Sequence, residues 1–303
     1  MTCKSWLEEW LQSYVRTTAK ERTYLKYAAI IEQHISPVLG DIHLERLTAP
    51  VLQSFVTALN EKGLQPGTVC GVMQVLKTAL RRAVLMDVVE REYTASVVLP
   101  RRREQQMECL TKEEQGKIEL YIMRRDTAHL FGITLALYTG MRIGELLALQ
   151  WSDVNFEKSA VTVSKSCHDS WRDGEYIKVI DTPKTECGLR VIPLPKPLLA
   201  RLRRFRKNAK GDFVVEGRSV WGAEVRSYQR TFELMLKHLE LPHRGFHALR
   251  HTFATRALEC GIDVRTLSEL MGHSDPTVTL RRYAHSMLDH KTEMMNRLGK
   301  LMR

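Results

Sequence analysis

Three observations predict a mainly α-helical fold with a small antiparallel β-sheet, divided into an all-helical first domain and a mixed α+β second domain. Apolar residues recur at spacings of three and four through most of the chain, a short central stretch switches to Val- and Ile-rich runs, and a basic segment near residue 100 is poor material for a core. With 303 residues and 44% hydrophobic composition, the chain can bury two modest cores.

The first helix is expected over residues 3–15, where Leu7, Trp10, Leu11 and Tyr14 share one face, and further helices over 20–34, 49–62 and 67–86. Pro37, Gly40, Gly63 and Pro66 punctuate them. This sets a helical domain at 1–98. In the following stretch, 99–107, Pro100 precedes Arg101, Arg102 and Arg103 and then polar residues, which reads as a basic interdomain linker. The second domain, 108–303, opens at Thr111 with Glu114 three residues on, the signature of a capping box, and stays helical through Leu149 with a break at Gly140. Residues 160–164, 176–180 and 189–194 are separated by turn formers and are expected to pair as one three-stranded antiparallel sheet; helices return from Leu198. No internal repeat or low-complexity segment points to a solenoid or a disordered tail.

Lys and Arg number 46 against 35 Asp and Glu, a net charge of +11, which favours a polyanionic partner, either nucleic acid or an acidic membrane surface. The longest apolar stretch, from Phe131 to Met141, falls short of the ~18 residues a membrane span needs. Glu8, Glu9 and Gln12 interrupt the first fifteen residues, which fit an amphipathic helix better than an export signal. The six cysteines (Cys3, Cys70, Cys109, Cys167, Cys187 and Cys260) lie far apart with no C-x-x-C pair, so neither a zinc ribbon nor a disulfide framework is expected, and a reducing cytoplasm is the simplest compartment.

Histidine and arginine cluster between His247 and His285, with few carboxylates. Arg250 follows His247 by three residues, so a helix would present a proton acceptor and a guanidinium fork on one side, suited to a phosphate. Taken alone, any one of these residues more often caps a helix or covers apolar surface; the clustering is what argues for a site. Arg142 follows Gly140 at an expected helix start, where free backbone amides favour an anion, and Lys184 sits in a Pro183–Lys184–Thr185 turn, where it reads equally as a hairpin-tip charge.

The strings Thr139-Gly-Met-Arg142-Ile-Gly-Glu145, His247-Ala-Leu-Arg250-His251-Thr-Phe-Ala, Leu270-Met-Gly-His273-Ser and Tyr283-Ala-His285 resemble, in order, the active-site pattern of the tyrosine recombinases, the phage-integrase family. The resemblance spans nearly the whole chain, more strongly in the second domain than in the first. It implies a helical core-DNA-binding domain followed by a catalytic domain, and a site-specific recombinase that serves integration and excision of a mobile element. The extended stretch from Ser166 to Thr185 looks more like the integrases of conjugative transposons than the compact cellular recombinases that resolve chromosome dimers. Many such integrases carry an additional amino-terminal arm-binding domain, whereas here the helical pattern begins almost at Met1.

By this resemblance Tyr283 is the nucleophile, Arg142 and Arg250 hold the phosphate, His247 is general base, His273 hydrogen-bonds the phosphate, Lys184 is general acid and Glu145 orients Arg142. Neither a metal nor another cofactor is implied. The partners implied are double-stranded DNA at recombination core sites, an accessory excision factor, and further copies of the chain in a homotetramer. In that tetramer a tail helix bearing Met287, Leu288, Met294, Met295 and Leu298 would dock on a neighbour; packing on its own domain explains the same stripe.

Other readings explain less. Residues 264–283 also read as a helix-turn-helix of a DNA-binding regulator, which leaves Arg142 and Lys184 without a purpose. A zinc hydrolase built on His247 and His251 lacks the glutamate of H-E-x-x-H, because Ala248 follows His247. A type IB topoisomerase shares the tyrosine chemistry without partner exchange, and the first domain favours recombination. A lipid-facing role for residues 201–207 competes with a solvated or DNA-facing helix.

Overall fold

In the computed structural model, the described residues are 1–101, 109–172, 175–181, 188–217 and 222–273, together with 275, 277, 295, 296, 299 and 300. The chain divides into two compact units, Met1–Gln105 and Gln106–Arg303.

In the first unit, α1 (Cys3–Trp10) passes through a π-helical turn, Leu11–Val15, into α2 (Arg16–Thr18). Then α3 (Glu21–Ile30) passes through a second π turn, Ile31–Ile35, into α4 (Ser36–Leu39). The expected stop at Pro37 is thus overridden. The N–H of Ser36 reaches back five residues to the carbonyl of Ile31, so the widened turn sits directly before the residue that has no N–H to give. Helices α5 (Ala49–Glu61) and α6 (Pro66–Leu85) complete the unit, each with proline in its first turn, where a missing donor costs nothing. The core is aromatic and aliphatic: Trp6, Trp10, Ile35, Phe55, Leu59 and Leu76 are buried together, and Trp6 satisfies its indole N–H on the Ala79 carbonyl at 2.9 Å.

The second unit opens with α7 (Lys112–Arg125), and the expected capping box is present: the Glu114 N–H donates to the Thr111 hydroxyl at 3.1 Å, and the Glu114 carboxylate accepts from the Thr111 N–H at 2.8 Å. Helix α8 (Ala128–Thr139) is buried on nearly every side. It therefore carries the apolar run read above as too short for a membrane; among the described residues no helix is long and apolar enough to cross one. Then follow α9 (Ile143–Ala148), strands β1 (Val154–Asn155), β2 (Ala160–Val163), β3 (Ser166–Arg172), β4 (Glu175–Asp181) and β5 (Arg190–Pro193), and helices α10 (Lys196–Lys207), α11 (Val225–His238), α12 (His247–Glu259) and α13 (Val264–Met271).

The sheet expected from 160–164, 176–180 and 189–194 is corrected in its membership. The three-stranded antiparallel sheet runs β1-β2-β5, and β4 pairs with β3 as a separate two-stranded ribbon with Ser166 opposite Asp181. Strand-forming residues do not specify their partner: a hairpin closes β3 on β4 locally, and the short β1, with only two residues, carried no legible strand signal. Leu146, Val161, Val163, Ile192, Tyr228 and Phe232 belong to one core with Phe131, Ile133 and Leu135 of α8.

Candidate active site

The site starts from a backbone turn. Helix α8 ends at Gly140 in the left-handed conformation, φ 63°, its N–H closing on the Ala136 carbonyl at 3.0 Å. A Cβ here would stand 2.4 Å from Cδ1 of Phe253. Gly140→Ala is therefore expected to cost about 1–2 kcal/mol for the conformation alone, more once Phe253 is displaced, and to lower activity by moving Arg142; urea unfolding and a DNA-cleavage assay check both.

Two residues on, Arg142 caps α9, and Glu145 reaches back to it. The Glu145 carboxylate accepts from the Arg142 N–H at 2.9 Å and from its Nη1 at 2.8 Å. A residue that the sequence reading missed completes the arrangement. Arg190, on β5, donates Nη2 to the same carboxylate at 2.7 Å and Nη1 at 3.2 Å, and its Nε to the Leu270 carbonyl at 2.7 Å.

Burial pushes the Glu145 pKa up, but the hydrogen bonds and charge of Arg190, then those of Arg142, outweigh it and hold the carboxyl below its ordinary value. A depressed carboxylate pKa adds stability above the unfolded-state pKa, and that stability is lost as pH falls through the folded one. Glu145→Gln is accordingly expected to cost about 3–5 kcal/mol near neutral pH, and its urea-unfolding midpoint should approach the wild-type midpoint only as the pH falls below the ordinary carboxylate range and through the depressed native pKa.

Arg250, on α12, is 2% exposed. Its Nη1 donates to the Gly140 carbonyl at 2.6 Å, and its Nη2 lies 2.7 Å from the Met271 carbonyl and 2.9 Å from Nε2 of His273. A guanidinium has only donors, so in this contact the His273 Nε2 is the acceptor. The Arg142 Nη2 lies 3.5 Å from the Gly272 carbonyl. Three successive carbonyls at the carboxyl end of α13, those of Leu270, Met271 and Gly272, thus face Arg190, Arg250 and Arg142 in turn, at the helix end whose dipole favours cations.

Of the residues expected in the site, Arg142, Glu145, Arg250 and His273 are brought together. His247 stands exposed in the first turn of α12, whereas Arg250 is buried, and the His247 ring meets that of His251 edge-on, centroids 4.6 Å apart. Lys184 and Tyr283 lie outside the described residues, as does the second helix of the helix-turn-helix reading beyond Thr277. Of the expected tail stripe, Met295 is described and exposed; Met287, Leu288, Met294 and Leu298 are not described. Among the described residues no cluster of three His, Cys, Asp or Glu side chains is arranged to hold a metal ion.

Comparison with known proteins bears on both units. Residues 101–290 match the phage integrase family, and residues 2–60 match the N-terminal SAM-like domain of phage integrases. A XerC-like tyrosine recombinase of Caldanaerobacter subterraneus is 27% identical over 97% of this chain and 82% of its own length. The transposase of transposon Tn916 from Enterococcus faecalis is 31% identical over 63% of this chain and 51% of its own length. The Tn1549 transposon integrase, solved in complex with transposon right-end DNA, superposes with a TM-score of 0.84 at 26% identity, covering 99% of this chain and all of that one.

Fold and relatives together define the class: enzymes that break and rejoin DNA by means of a tyrosine. Within that class the chain belongs to the phage integrase family, and its relatives include integrases of the conjugative-transposon type.

Proposed function

We propose that this chain recombines duplex DNA at the core sites of a mobile element, with Tyr283 as nucleophile and Arg142, Lys184, His247, Arg250 and His273 as the groups that act on the scissile phosphate. The observation that carries this reading is the convergence of Arg142, Arg250 and His273 at the end of α13. A phosphodiester under attack gathers charge on its non-bridging oxygens, and fixed guanidinium forks stabilise that charge more than they stabilise the ground state.

The phenol of Tyr283 gives its proton to His247 as its oxygen bonds to phosphorus. The bond to the 5′-oxygen breaks, and Lys184 protonates that leaving group. The result is a 3′-phosphotyrosyl link and a free 5′-hydroxyl, with the phosphodiester energy conserved. A 5′-hydroxyl from another strand then reverses the steps. Glu145 holds Arg142 in register throughout.

In the same reading, residues 1–98 grip the core site, 99–107 form the linker and 108–303 carry catalysis. The enzyme works as a homotetramer on DNA in the bacterial cytoplasm, with the tail beyond residue 286 docking between protomers and an accessory factor directing excision. The family resemblance and the exposure of Met295 support the tail assignment.

The test uses nicked duplexes drawn from DNA flanking the gene, incubated with the full chain and chelator and resolved on a denaturing gel. A covalent protein–DNA band supports the reading. Specific binding without any covalent band would instead point to a regulator, and an adduct that relaxes supercoils but never exchanges strands would point to a topoisomerase.

A further inference from the structure

We infer that Arg190 is a positioning residue of this active site: clamped between the Glu145 carboxylate and the Leu270 carbonyl, it fixes the attitude of the Arg142 guanidinium and leaves that cation's charge available to the DNA phosphate. The inference rests on the recombinase reading above and assigns to it a residue outside the set expected from the sequence.

The geometry divides the work among the three side chains. Glu145 has two oxygens, and each takes one bond from each arginine: Oε2 from the Arg142 N–H and Arg190 Nη2, Oε1 from Arg142 Nη1 and Arg190 Nη1. A carboxylate paired with Arg142 alone would cancel the charge meant for the substrate. A second arginine on the same carboxylate restores a net positive centre. The two cations also differ in placement, since the Arg190 side chain is 6% exposed and the Arg142 side chain 42%. The buried one neutralises Glu145 from inside, and the accessible one is left to face DNA.

Arg190 also ties two elements that both deliver catalytic groups. Through Glu145 it holds the start of α9, which carries Arg142. Through Leu270 it holds the end of α13, next to the Met271 carbonyl that receives Arg250 and two residues before the Gly272–His273 peptide. A bidentate fork with a third N–H at right reach is what arginine supplies and lysine does not.

The experiment measures the rate of covalent-complex formation on nicked duplex, together with duplex binding, for wild type, Arg190→Met, Arg190→Lys, Glu145→Gln and the double variant Arg190→Met/Glu145→Gln. Arg190→Met is expected to slow cleavage about 10–100-fold, the usual cost of removing a supporting partner, with duplex affinity unchanged. Its cleavage–pH profile should lose activity at higher pH on the acid side, because Glu145 keeps only Arg142 as a charged partner; Arg190→Lys should restore the wild-type acid limb while cleaving more slowly. In the double variant the loss should not exceed that of the slower single variant, since both changes break one linkage.

Independent, multiplying losses in the double variant, or a uniform drop at every pH, would overturn the inference in favour of a merely structural arginine. If Arg190→Met does not fold, the pH profile of Arg190→Lys and its cycle with Glu145→Gln decide the same question. Wild type and Tyr283→Phe run alongside: a wild-type adduct lost in Tyr283→Phe with Arg190→Met at full rate sinks this inference alone, whereas no wild-type adduct sinks the recombinase reading and this inference with it.

Discussion

Tyr283→Phe is expected to bind core-site duplex as wild type does and to form no covalent complex with it. The substitution removes only the oxygen that the proposed mechanism uses as nucleophile and keeps the aromatic ring, so binding is expected to persist. Neighbouring groups cannot substitute cheaply: the reaction needs a phenolate aligned opposite the 5′-oxygen, and the rate advantage at stake in enzymic catalysis is about 10⁶-fold or more. The residual signal should therefore fall below detection on a denaturing gel. A band of unchanged mobility in the variant would mean that another residue attacks the phosphate, and peptide mapping of the adduct would then find it.

Removing Arg250 should have the second largest effect, on two levels. Arg250→Ala takes away the fork that the proposed mechanism places on the phosphate, for which a loss of about 10²–10³-fold in cleavage is the ordinary cost. It also leaves the Gly140 and Met271 carbonyls, bonded at 2.6 and 2.7 Å in the native fold, without their donor, at about 1–3 kcal/mol for each buried group. Arg250→Lys separates the two levels. It keeps the charge, and one ammonium can satisfy part of the carbonyl demand, so stability should recover more than activity. Cleavage by Arg250→Lys at close to the wild-type rate would show that a point charge suffices and that the fork geometry has no part in the chemistry.

Much of the scaffold was legible because its causes are local. The capping box at Thr111 and Glu114 needs only two residues at the right spacing, and Gly140 as a helix stop needs only the tolerance of glycine for positive φ. Arg142, Glu145, Arg250 and His273 were legible as strings that resemble a family, each string confined to a few consecutive residues.

What was not legible depends on partners distant in sequence. Strands 176–180 and 189–194 look alike in composition, yet one closes a local ribbon on β3 and the other crosses to β2, a choice that composition does not contain. Arg190 is the sharpest case. Along Leu189, Arg190, Val191 and Ile192 an alternating strand offers two faces, Leu189 and Val191 on one and Ile192 beside Arg190 on the other, and alternation alone does not say which is buried. The structure buries the face of Arg190 and Ile192, leaving Val191 59% exposed and Arg190 8%.

The sequence by itself thus determined the class of fold, the order of the helices and the residues from which an active site could be assembled, because periodicity, caps and short motifs are written within a turn or two of chain. Only the tertiary structure decided which strand pairs with which and that Arg190 turns inward. A buried guanidinium is tolerable where acceptors already wait for it, and those of Arg190, the Glu145 carboxylate and the Leu270 carbonyl, 45 and 80 residues away, meet it only once the chain has folded.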